Sequence, residues 1–349
     1  MRNKLTISFL ILMAIYCLPS CNKTQTKMAN YSGEDLTSKI FIQKDKVSKK
    51  TELKITKDTK WELFITDSLG NIDQNKPILT GEEAGVYNIE VSNRHSTFAL
   101  ATPKGTTLIA ERQLPMEGGY NFRDIGGFKT KEGKYTKWGE IFRSDDLTHL
   151  TKMDLQYLSS VPLTTIVDFR SQQEIADAAD KNPSSVKNNV QLSIAPGNLS
   201  SANQLASLPE KEMEQFMMDL NEHLVTDSIA IDAYKQLFQM LQSGTDSPLM
   251  YHCSAGKDRT GMATALIFYS LGVDEQTIEQ DYLASNHYLG DKYATLKKEH
   301  PNLVALLEVR SKYLQAGLDK IKQEYGSIDN FLTNTLNVDI QKMRSLYLY

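Results

Sequence analysis

Tyr251-His252-Cys253-Ser254-Ala255-Gly256-Lys257-Asp258-Arg259-Thr260-Gly261 is a short polar stretch between two apolar runs. The run before it, residues 248–251, predicts a buried strand, and the run after it, residues 262–271, predicts a buried helix that ends at Gly272. Between a strand and a helix N-terminus, loop amides converge on one point and the helix dipole adds positive potential there. The sequence therefore predicts an anion-binding loop with Cys253 and Arg259 at its ends.

The residue types in this loop suit phosphoryl transfer. Helix N-termini and cationic neighbours lower the pKa of a cysteine from about 8.5 to about 3.5–7.5, and a thiolate such as that of Cys253 is a competent nucleophile. Arg259 offers a planar fork to two phosphate oxygens, and Ala255 and Gly256 leave room for the substrate. We expect transfer of the phosphoryl group to Cys253, then hydrolysis, with Thr260 donating a hydrogen bond to the sulfur.

This segment resembles the phosphate-binding loop of the cysteine-dependent protein tyrosine phosphatase superfamily. Its His-Cys-x-x-Gly-Lys-Asp-Arg-Thr-Gly form is similar to that of bacterial tyrosine and lipid phosphatases. The resemblance implies that Cys253 is the nucleophile and that Arg259 binds phosphate. It also implies that the phosphate is surrounded by Ser254, Ala255, Gly256, Lys257 and Thr260.

The general acid is expected at Asp258. Many tyrosine phosphatases carry this acid in a Trp-Pro-Asp triplet, which the chain lacks, and the narrower family places it inside the loop. The alternative is that Asp258 only forms hydrogen bonds within the loop, which leaves Asp168, Asp145 and Asp124 as reserve candidates. Lys257 is expected to favour doubly phosphorylated or inositol substrates, or else to be exposed to solvent.

Further motifs resemble the same family across residues 116–349. Asn121-Phe122-Arg123-Asp124-Ile125-Gly126-Gly127 opens the domain, and Arg123 and Asp124 are expected to pair with each other, beside the loop or in a turn. In 139–147, Arg143 is expected to emerge at the end of a strand, near the site. Asp281-Tyr282-Leu283-Ala284-Ser285-Asn286 follows on a later helix.

A second polar group follows the predicted strand 163–171. Asp168 and Arg170 form an ion pair near the loop, support the site, or have a plain structural role; these alternatives stay open. Ser171 and Glu174 predict a capping box at the next helix. His252 is expected to order the loop or to lower the pKa of the sulfur. A helix opening at Pro209 is expected to be a lid or an ordinary packed helix.

The overall composition excludes several functions. The 349 residues carry a net charge of -4 with both signs interspersed, so no basic field for nucleic acid is expected. None of the six histidines has metal-ligand spacing, so neither a metal nor a cofactor is expected. No central stretch is apolar enough to span a bilayer. The partner is therefore expected to be a phosphorylated protein or phospholipid.

The N-terminus predicts export. Arg2 and Lys4 precede an apolar run, and Leu18-Pro19-Ser20-Cys21 resembles the bacterial lipoprotein box. We expect a signal peptide over 1–20, a lipid on Cys21, a flexible tether over 21–35, and anchoring to the cell envelope outside the cytoplasm. Of the three cysteines, Cys253 would then be the only free thiol.

The chain beyond the tether predicts two domains. Short alternating segments over 36–114 indicate a small all-β sandwich. It is expected to be a spacer from the membrane, or else to bind a partner or glycan. Residues 115–349 predict an α/β phosphatase domain, with a central sheet flanked by helices.

Two other functional classes remain open. A sulfurtransferase or arsenate reductase also uses a thiol, but arsenate reduction normally needs further cysteines and rhodanese loops are usually one residue shorter. A catalytically silent, lipid-anchored phosphate-binding module is the other alternative. A silent module of this kind usually lacks the cysteine or the arginine of the loop. This chain has both Cys253 and Arg259, which favours an enzyme.

Overall fold

A computed structural model describes residues 26–67, 70–195 and 208–349. The predicted signal peptide and Cys21 lie outside the described residues, and so do residues 196–207, which precede the predicted lid helix. Across the described ranges, no helix combines the length and the apolar character needed to cross a bilayer. The chain has a strand-rich N-terminal region and a C-terminal region in which helices surround one sheet.

The N-terminal region consists of short strands. They are β1 Thr26–Met28, β2 Ser32–Gly33, β3 Ile40–Lys44, β4 Thr51–Ile55, β5 Trp61–Ile65, β6 Asn71–Asp73, β7 Leu79–Gly81, β8 Gly85–Ile89, β9 Phe98–Thr102 and β10 Gly105–Ile109. Five of them form a sheet in the order β2-β10-β9-β5-β7, three form the sheet β3-β4-β8, and β1 pairs with β6. All of these pairings are antiparallel.

The two larger sheets share one apolar core because their strands alternate. In β3, Ile40 and Ile42 are buried while Phe41 is exposed. Ile42 packs in the same cluster as Trp61 and Phe98 of the other sheet. The prediction of a tether over 21–35 needs correction, since β1 and β2 form ladder hydrogen bonds with later strands and residues 26–33 therefore belong to the folded region.

The C-terminal region is built on a second five-stranded sheet. Its strands are β11 Arg123–Asp124, β12 Ile141–Ser144, β13 Thr165–Asp168, β14 Asn188–Gln191 and β15 Leu249–His252. The order is β11-β12-β15-β13-β14, and all pairs except the antiparallel β11–β12 are parallel. The strand that precedes the predicted anion loop is therefore the central one.

Helices cover both faces of this sheet. They are α1 Lys152–Ser160, α2 Gln172–Asp177, α3 Glu210–Thr226, α4 Ser228–Ser243, α5 Arg259–Leu271, α6 Glu275–Tyr288, α7 Gly290–Glu299, α8 Val304–Leu307, α9 Ser311–Tyr325, α10 Ile328–Asn330 and α11 Ile340–Tyr347. In β15, Leu249 and Tyr251 face one core and Met250 faces the other.

The N-terminal and C-terminal regions share a packed interface. Trp138 lies in a cluster with Phe64 and Leu108 of the N-terminal region, and its Nε1 donates to the carbonyl oxygen of Leu108 at 3.1 Å. The rings of Tyr31 and Tyr135 stack with 3.7 Å between their centres. The two regions therefore contact each other through aromatic rings as well as through the ion pairs described below.

Candidate active site

The predicted anion loop lies between β15 and α5. Cys253 follows the end of β15, is 2% exposed and is a free thiol, and Arg259 begins α5. Gly256 has a φ of 65°, and a Cβ there would lie 2.1 Å from the carbonyl oxygen of Ser144. Only glycine meets both conditions, so this residue lets the loop pack closely against β12.

Several charges and dipoles act on the Cys253 sulfur. Burial alone would raise the pKa of the thiol, but the Arg259 charge and hydrogen bonds from the Thr260 hydroxyl and amide outweigh it, so the pKa lies below its ordinary value. The buried Thr260 hydroxyl has no hydrogen-bond partner with full bonding geometry among the described residues. It acts on the sulfur strongly enough to lower the pKa of the thiol, and the donation from Thr260 to the sulfur stays a prediction.

Glu174 holds the Arg259 guanidinium in place. Its two carboxylate oxygens accept from Arg259 Nη1 at 2.9 Å and Nη2 at 2.8 Å, and Oε1 also accepts from the Ser254 hydroxyl at 2.5 Å. Burial opposes ionisation of Glu174, but the hydrogen bond and charge of Arg259 prevail and lower its pKa from 4.5 to about 2. The capping box with Ser171 is confirmed, but nothing in that pattern pointed to Arg259.

Glu174→Gln is expected to lower kcat/KM for p-nitrophenyl phosphate about 10-fold to 100-fold, since a neutral amide holds the Arg259 fork less firmly. Because the folded pKa is depressed, the stabilisation by this pair is complete above about pH 4.5 and is lost as pH falls towards 2. Asp177→Asn, at an exposed position of the same helix, is the control. Equal kcat/KM for the two variants would contradict this role.

Asn121 and Arg143 hold the outer side of the loop. Asn121 Nδ2 donates to the carbonyl oxygens of Ala255 at 3.0 Å and Gly256 at 2.9 Å. Arg143 Nη2 donates to the same Gly256 oxygen at 2.6 Å. Arg143 was expected at the end of a strand near the site, and it is the residue before the last in β12. It is fully buried, because the buried carboxylate of Asp281 neutralises part of its charge.

Asp281 joins two neighbouring arginines. It lies 3.0 Å from Arg123 Nε and 2.9 Å from Arg143 Nη1. Burial would raise the pKa of Asp281, but the charges of these two arginines lower it overall. Burial and the nearby Arg123 charge lower the pKa of Arg143 to about 10. Two guanidinium groups therefore share one carboxylate behind the loop, a role for Asp281 that sequence reasoning missed.

Arg123 and Asp124 do not pair with each other, contrary to the prediction. They are consecutive residues of β11, so their side chains point to opposite faces of the sheet. Arg123 contacts Asn121 and Asp281. Asp124 instead faces His95 of the N-terminal region, with 3.2 Å between Oδ2 and Nε2.

Asp168 and Arg170 form the expected ion pair, with 2.8 Å between Oδ2 and Nη2. Arg170 also contacts Asp180, which lies 3.2 Å from His252 Nε2, while His252 Nδ1 lies 3.2 Å from the carbonyl oxygen of Cys253. Burial would lower the pKa of His252, but Asp180 raises it overall. His252 thus links this group to the loop. The carboxylates of Asp168 and Asp180 and the ring of His252 lie close enough together to hold a metal ion. The Arg170 guanidinium already binds both carboxylates, so they are neutralised without one.

Lys257 and Asp258 contact each other. Lys257 is 4% exposed, so the expectation of a solvent-exposed side chain is wrong. Its Nζ donates to Asp258 Oδ2 at 2.7 Å. Asp258 precedes α5 but makes no capping hydrogen bond, and its buried Oδ1 has no hydrogen-bond partner in the described part of the chain. One carboxylate oxygen therefore remains available at the loop.

Asp145, a reserve candidate for the acid, is fully engaged. Its Oδ1 accepts from the amides of Tyr120 at 3.1 Å and Asn121 at 2.9 Å. Its Oδ2 accepts from Lys292 at 2.8 Å, and Lys292 Nζ also lies 3.4 Å from the carbonyl oxygen of Ser254. The reserve candidates Asp124 and Asp168 are likewise in ion pairs. Asp258 is paired with Lys257 as well, but its buried Oδ1 has no hydrogen-bond partner among the described residues.

Comparison with known proteins agrees with this geometry. The model of the tyrosine phosphatase family matches residues 114–349. A Cupriavidus necator protein that carries the name tyrosine-protein phosphatase is 28% identical, over 70% of this chain and 92% of its own length. The triple specificity protein phosphatase PtpB of Mycobacterium tuberculosis is 25% identical, over 69% of this chain and 100% of its own. A crystal structure of P. aeruginosa TpbA with phosphotyrosine is 12% identical, covers 61% of this chain and 88% of that one, and has a TM-score of 0.24, too low to add to the comparison.

Proposed function

The chain belongs to the tyrosine phosphatase family and is a phosphatase of the protein-tyrosine-phosphatase type, and we propose that it works through a phosphocysteine intermediate on Cys253. The observation that carries this proposal is the buried sulfur, whose pKa is lowered, beside the clamped guanidinium of Arg259. In such a loop the fixed guanidinium can bind a tetrahedral oxyanion such as phosphate, and the thiolate can attack its central atom.

The first half of the reaction transfers the phosphoryl group. The Cys253 thiolate attacks phosphorus, the sulfur–phosphorus bond forms, and the phosphorus–oxygen bond to the leaving group breaks. Arg259 and the loop amides hold the three phosphoryl oxygens while charge shifts onto the leaving oxygen. Asp258 donates a proton to that oxygen, so the product leaves as an alcohol or phenol.

The second half regenerates the enzyme. Asp258, now a carboxylate, takes a proton from water, and the oxygen of that water attacks phosphorus. The sulfur–phosphorus bond breaks and inorganic phosphate leaves. Thr260 stabilises the returning thiolate by its hydrogen bond, which is supported by its effect on the pKa of Cys253.

Asp258→Asn is expected to flatten the alkaline limb of the pH dependence of kcat/KM, because a general acid acts only in its protonated form, and to lower kcat about 10²-fold for a substrate with a poor leaving group, such as an alkyl phosphate. The physical reason is that an amide cannot supply a proton to the departing oxygen. An aryl phosphate whose phenol leaves without protonation is the internal control, since it should lose little rate. An unchanged profile with both substrates would remove Asp258 from the acid role.

The substrate class rests on the loop and on the named relatives. The M. tuberculosis relative carries the name triple specificity protein phosphatase, which supports a broad specificity for this chain. The loop itself is compatible with phosphotyrosine, phosphoserine and phosphoinositide. Lys257 supplies a cation next to the phosphate site, where its ammonium also donates a hydrogen bond to Asp258. A panel of these three substrate classes, assayed on the chain from Lys27 onwards, ranks them directly.

We also retain the proposal of a lipid-anchored protein of the cell envelope. Its support is the basic, apolar and Cys21-containing N-terminal sequence. Mass spectrometry of the membrane fraction should find a diacylglyceryl group on Cys21, and Cys21→Ala should release the protein from membranes. Recovery of an unmodified Cys21 in the mature protein would end this proposal.

A further inference from the structure

The turn between β3 and β4 reaches from the N-terminal region onto the start of the phosphatase domain. Lys46 Nζ donates to the carbonyl oxygen of Gly119 at 3.3 Å and lies 5.4 Å from the centre of the Tyr120 ring. Lys49 Nζ donates to the carbonyl oxygen of Pro115 at 2.9 Å and lies 3.1 Å from a Glu117 carboxylate oxygen. Two lysines of one turn therefore hold residues 115–120.

This turn, residues 45–50, is held in shape by its own hydrogen bonds. The Asp45 carboxylate accepts from the amides of Val47 at 3.1 Å and Ser48 at 2.6 Å. The amide of Lys49 donates to the carbonyl oxygen of Asp45 at 3.1 Å, with Lys49 at a φ of 57°. The backbone of the two lysines is thus fixed, so their contact with the neighbouring domain costs side-chain conformational entropy but little further backbone entropy.

The held segment leads directly into the residue that grips the phosphate-binding loop. Asn121 follows Tyr120, and its side-chain amide binds the carbonyl oxygens of Ala255 and Gly256. The Tyr120 ring also lies 5.8 Å from Lys292 Nζ, and this ammonium lies 3.4 Å from the carbonyl oxygen of Ser254. The turn is therefore connected to the outer side of the loop in two ways, through the backbone that leads to Asn121 and through the Tyr120 ring and Lys292.

Holding the outer carbonyls affects where the inner amides point. The C=O and N–H of one peptide unit point in opposite directions because the unit is planar. When the carbonyls of Ala255 and Gly256 are bound from outside, the amides of Gly256 and Lys257 point inwards, where converging N–H groups bind an anion. Movement of Asn121 would therefore misalign donors at the phosphate.

We propose that Lys46 and Lys49 are positioning residues for the phosphate-binding loop, and that the N-terminal region is a working part of the active site rather than a spacer. This inference goes beyond the proposed reaction and rests on it for the identity of the loop. The lysines touch no substrate and act through residues 115–121.

The test uses the full chain with the double substitution Lys46→Met and Lys49→Met. Inorganic phosphate as a competitive inhibitor should bind about fivefold more weakly, and kcat/KM for p-nitrophenyl phosphate should fall about tenfold, as expected when loop donors are misaligned. Hydrogen exchange at the amides of residues 254–258 should become faster. Lys46→Arg with Lys49→Arg keeps the cations and should restore all three values.

Lys50→Met is the matched control, since Lys50 is exposed on the same turn and forms no ion pair within the described ranges. If the double variant binds phosphate as the wild type does, the proposal is overturned, even where its Tm is lower, because the contacts would then serve only to join the domains. Activity of Cys253→Ser would instead refute the proposed reaction, and it leaves the phosphate-binding comparison unaffected.

Discussion

Cys253→Ser is expected to lower kcat for p-nitrophenyl phosphate by at least about 10³-fold, since a hydroxyl at this position has a far higher pKa than the thiol and does not ionise near neutral pH. The sulfur is the free, buried thiol of the described chain, and its pKa is lowered by Arg259 and Thr260 against the effect of burial. The substitution changes one atom, so the fold should survive it.

A binding measurement distinguishes a variant that has lost only the chemical step from one that has lost the phosphate-binding site. The Cys253→Ser protein should still bind inorganic phosphate with an affinity close to that of the wild type, measured by calorimetry, because Arg259 and the loop amides are unchanged. In the wild type, kcat/KM should rise with pH through the lowered pKa of the thiol, so the acidic limb lies below the ordinary titration range of cysteine. Turnover by the serine variant would exclude the phosphocysteine route.

Asp281→Ala is expected to destabilise the protein by about 3–5 kcal/mol, because it leaves two buried guanidinium groups without their shared carboxylate. Arg123 and Arg143 are both fully buried and face each other across paired strands. Without Asp281 they repel each other in a medium that screens charge weakly. Thermal unfolding should show a Tm lower by about 10 °C or more.

Glu279→Ala is the control for this loss, since Glu279 is exposed on the same helix. It should change the Tm by no more than about 1–2 °C, as is usual for surface positions. Asp281→Ala should also weaken phosphate binding at temperatures where it stays folded, because Arg143 holds the carbonyl oxygen of Gly256. A Tm equal to that of Glu279→Ala would show that the arginines find other partners.

The N-terminal region contributes more contacts to the phosphatase domain than a spacer requires. Lys44 and Glu111 of the N-terminal region form an ion pair, 3.2 Å apart, with both side chains fully buried, and the Tyr157 hydroxyl of the phosphatase domain donates to Glu111 Oε2 at 3.4 Å. Lys44 Nζ also lies 5.3 Å from the Tyr157 ring of α1. His95 faces Asp124 of β11. The two regions are thus joined by buried charges, which are costly to separate because each would be left without its partner.

Local patterns were read correctly where the physical cause was local. The apolar runs on both sides of the loop form β15 and α5, and Gly272 ends that helix in the left-handed conformation with a φ of 82°. Ser171 and Glu174 form the predicted capping box. Backbone geometry and burial along a few consecutive residues are sufficient for such features.

Contacts between residues far apart in the chain could not be predicted from local sequence patterns. The sequence placed Arg123 beside Asp124, but strand geometry sends their side chains apart, and Arg123 meets Asp281 far along the chain. For Glu174 the sequence predicted only the capping box with Ser171, although the carboxylate also binds Arg259. The lysines of the β3–β4 turn carried no signal at all, because exposed lysines are common and their partners lie in another domain.

The order of residues in the chain was enough to predict the nucleophile, the phosphate-binding arginine and the family, because the residues that carry these predictions lie within one short loop whose chemistry depends on spacing. Only the tertiary structure decided which carboxylate binds Arg259, which charges lie behind the loop, and that the N-terminal region contacts the segment 115–120 that leads to Asn121. Those contacts join residues separated by many positions in sequence, and their free energy depends on burial and distance, which exist only once the sheets and helices have packed.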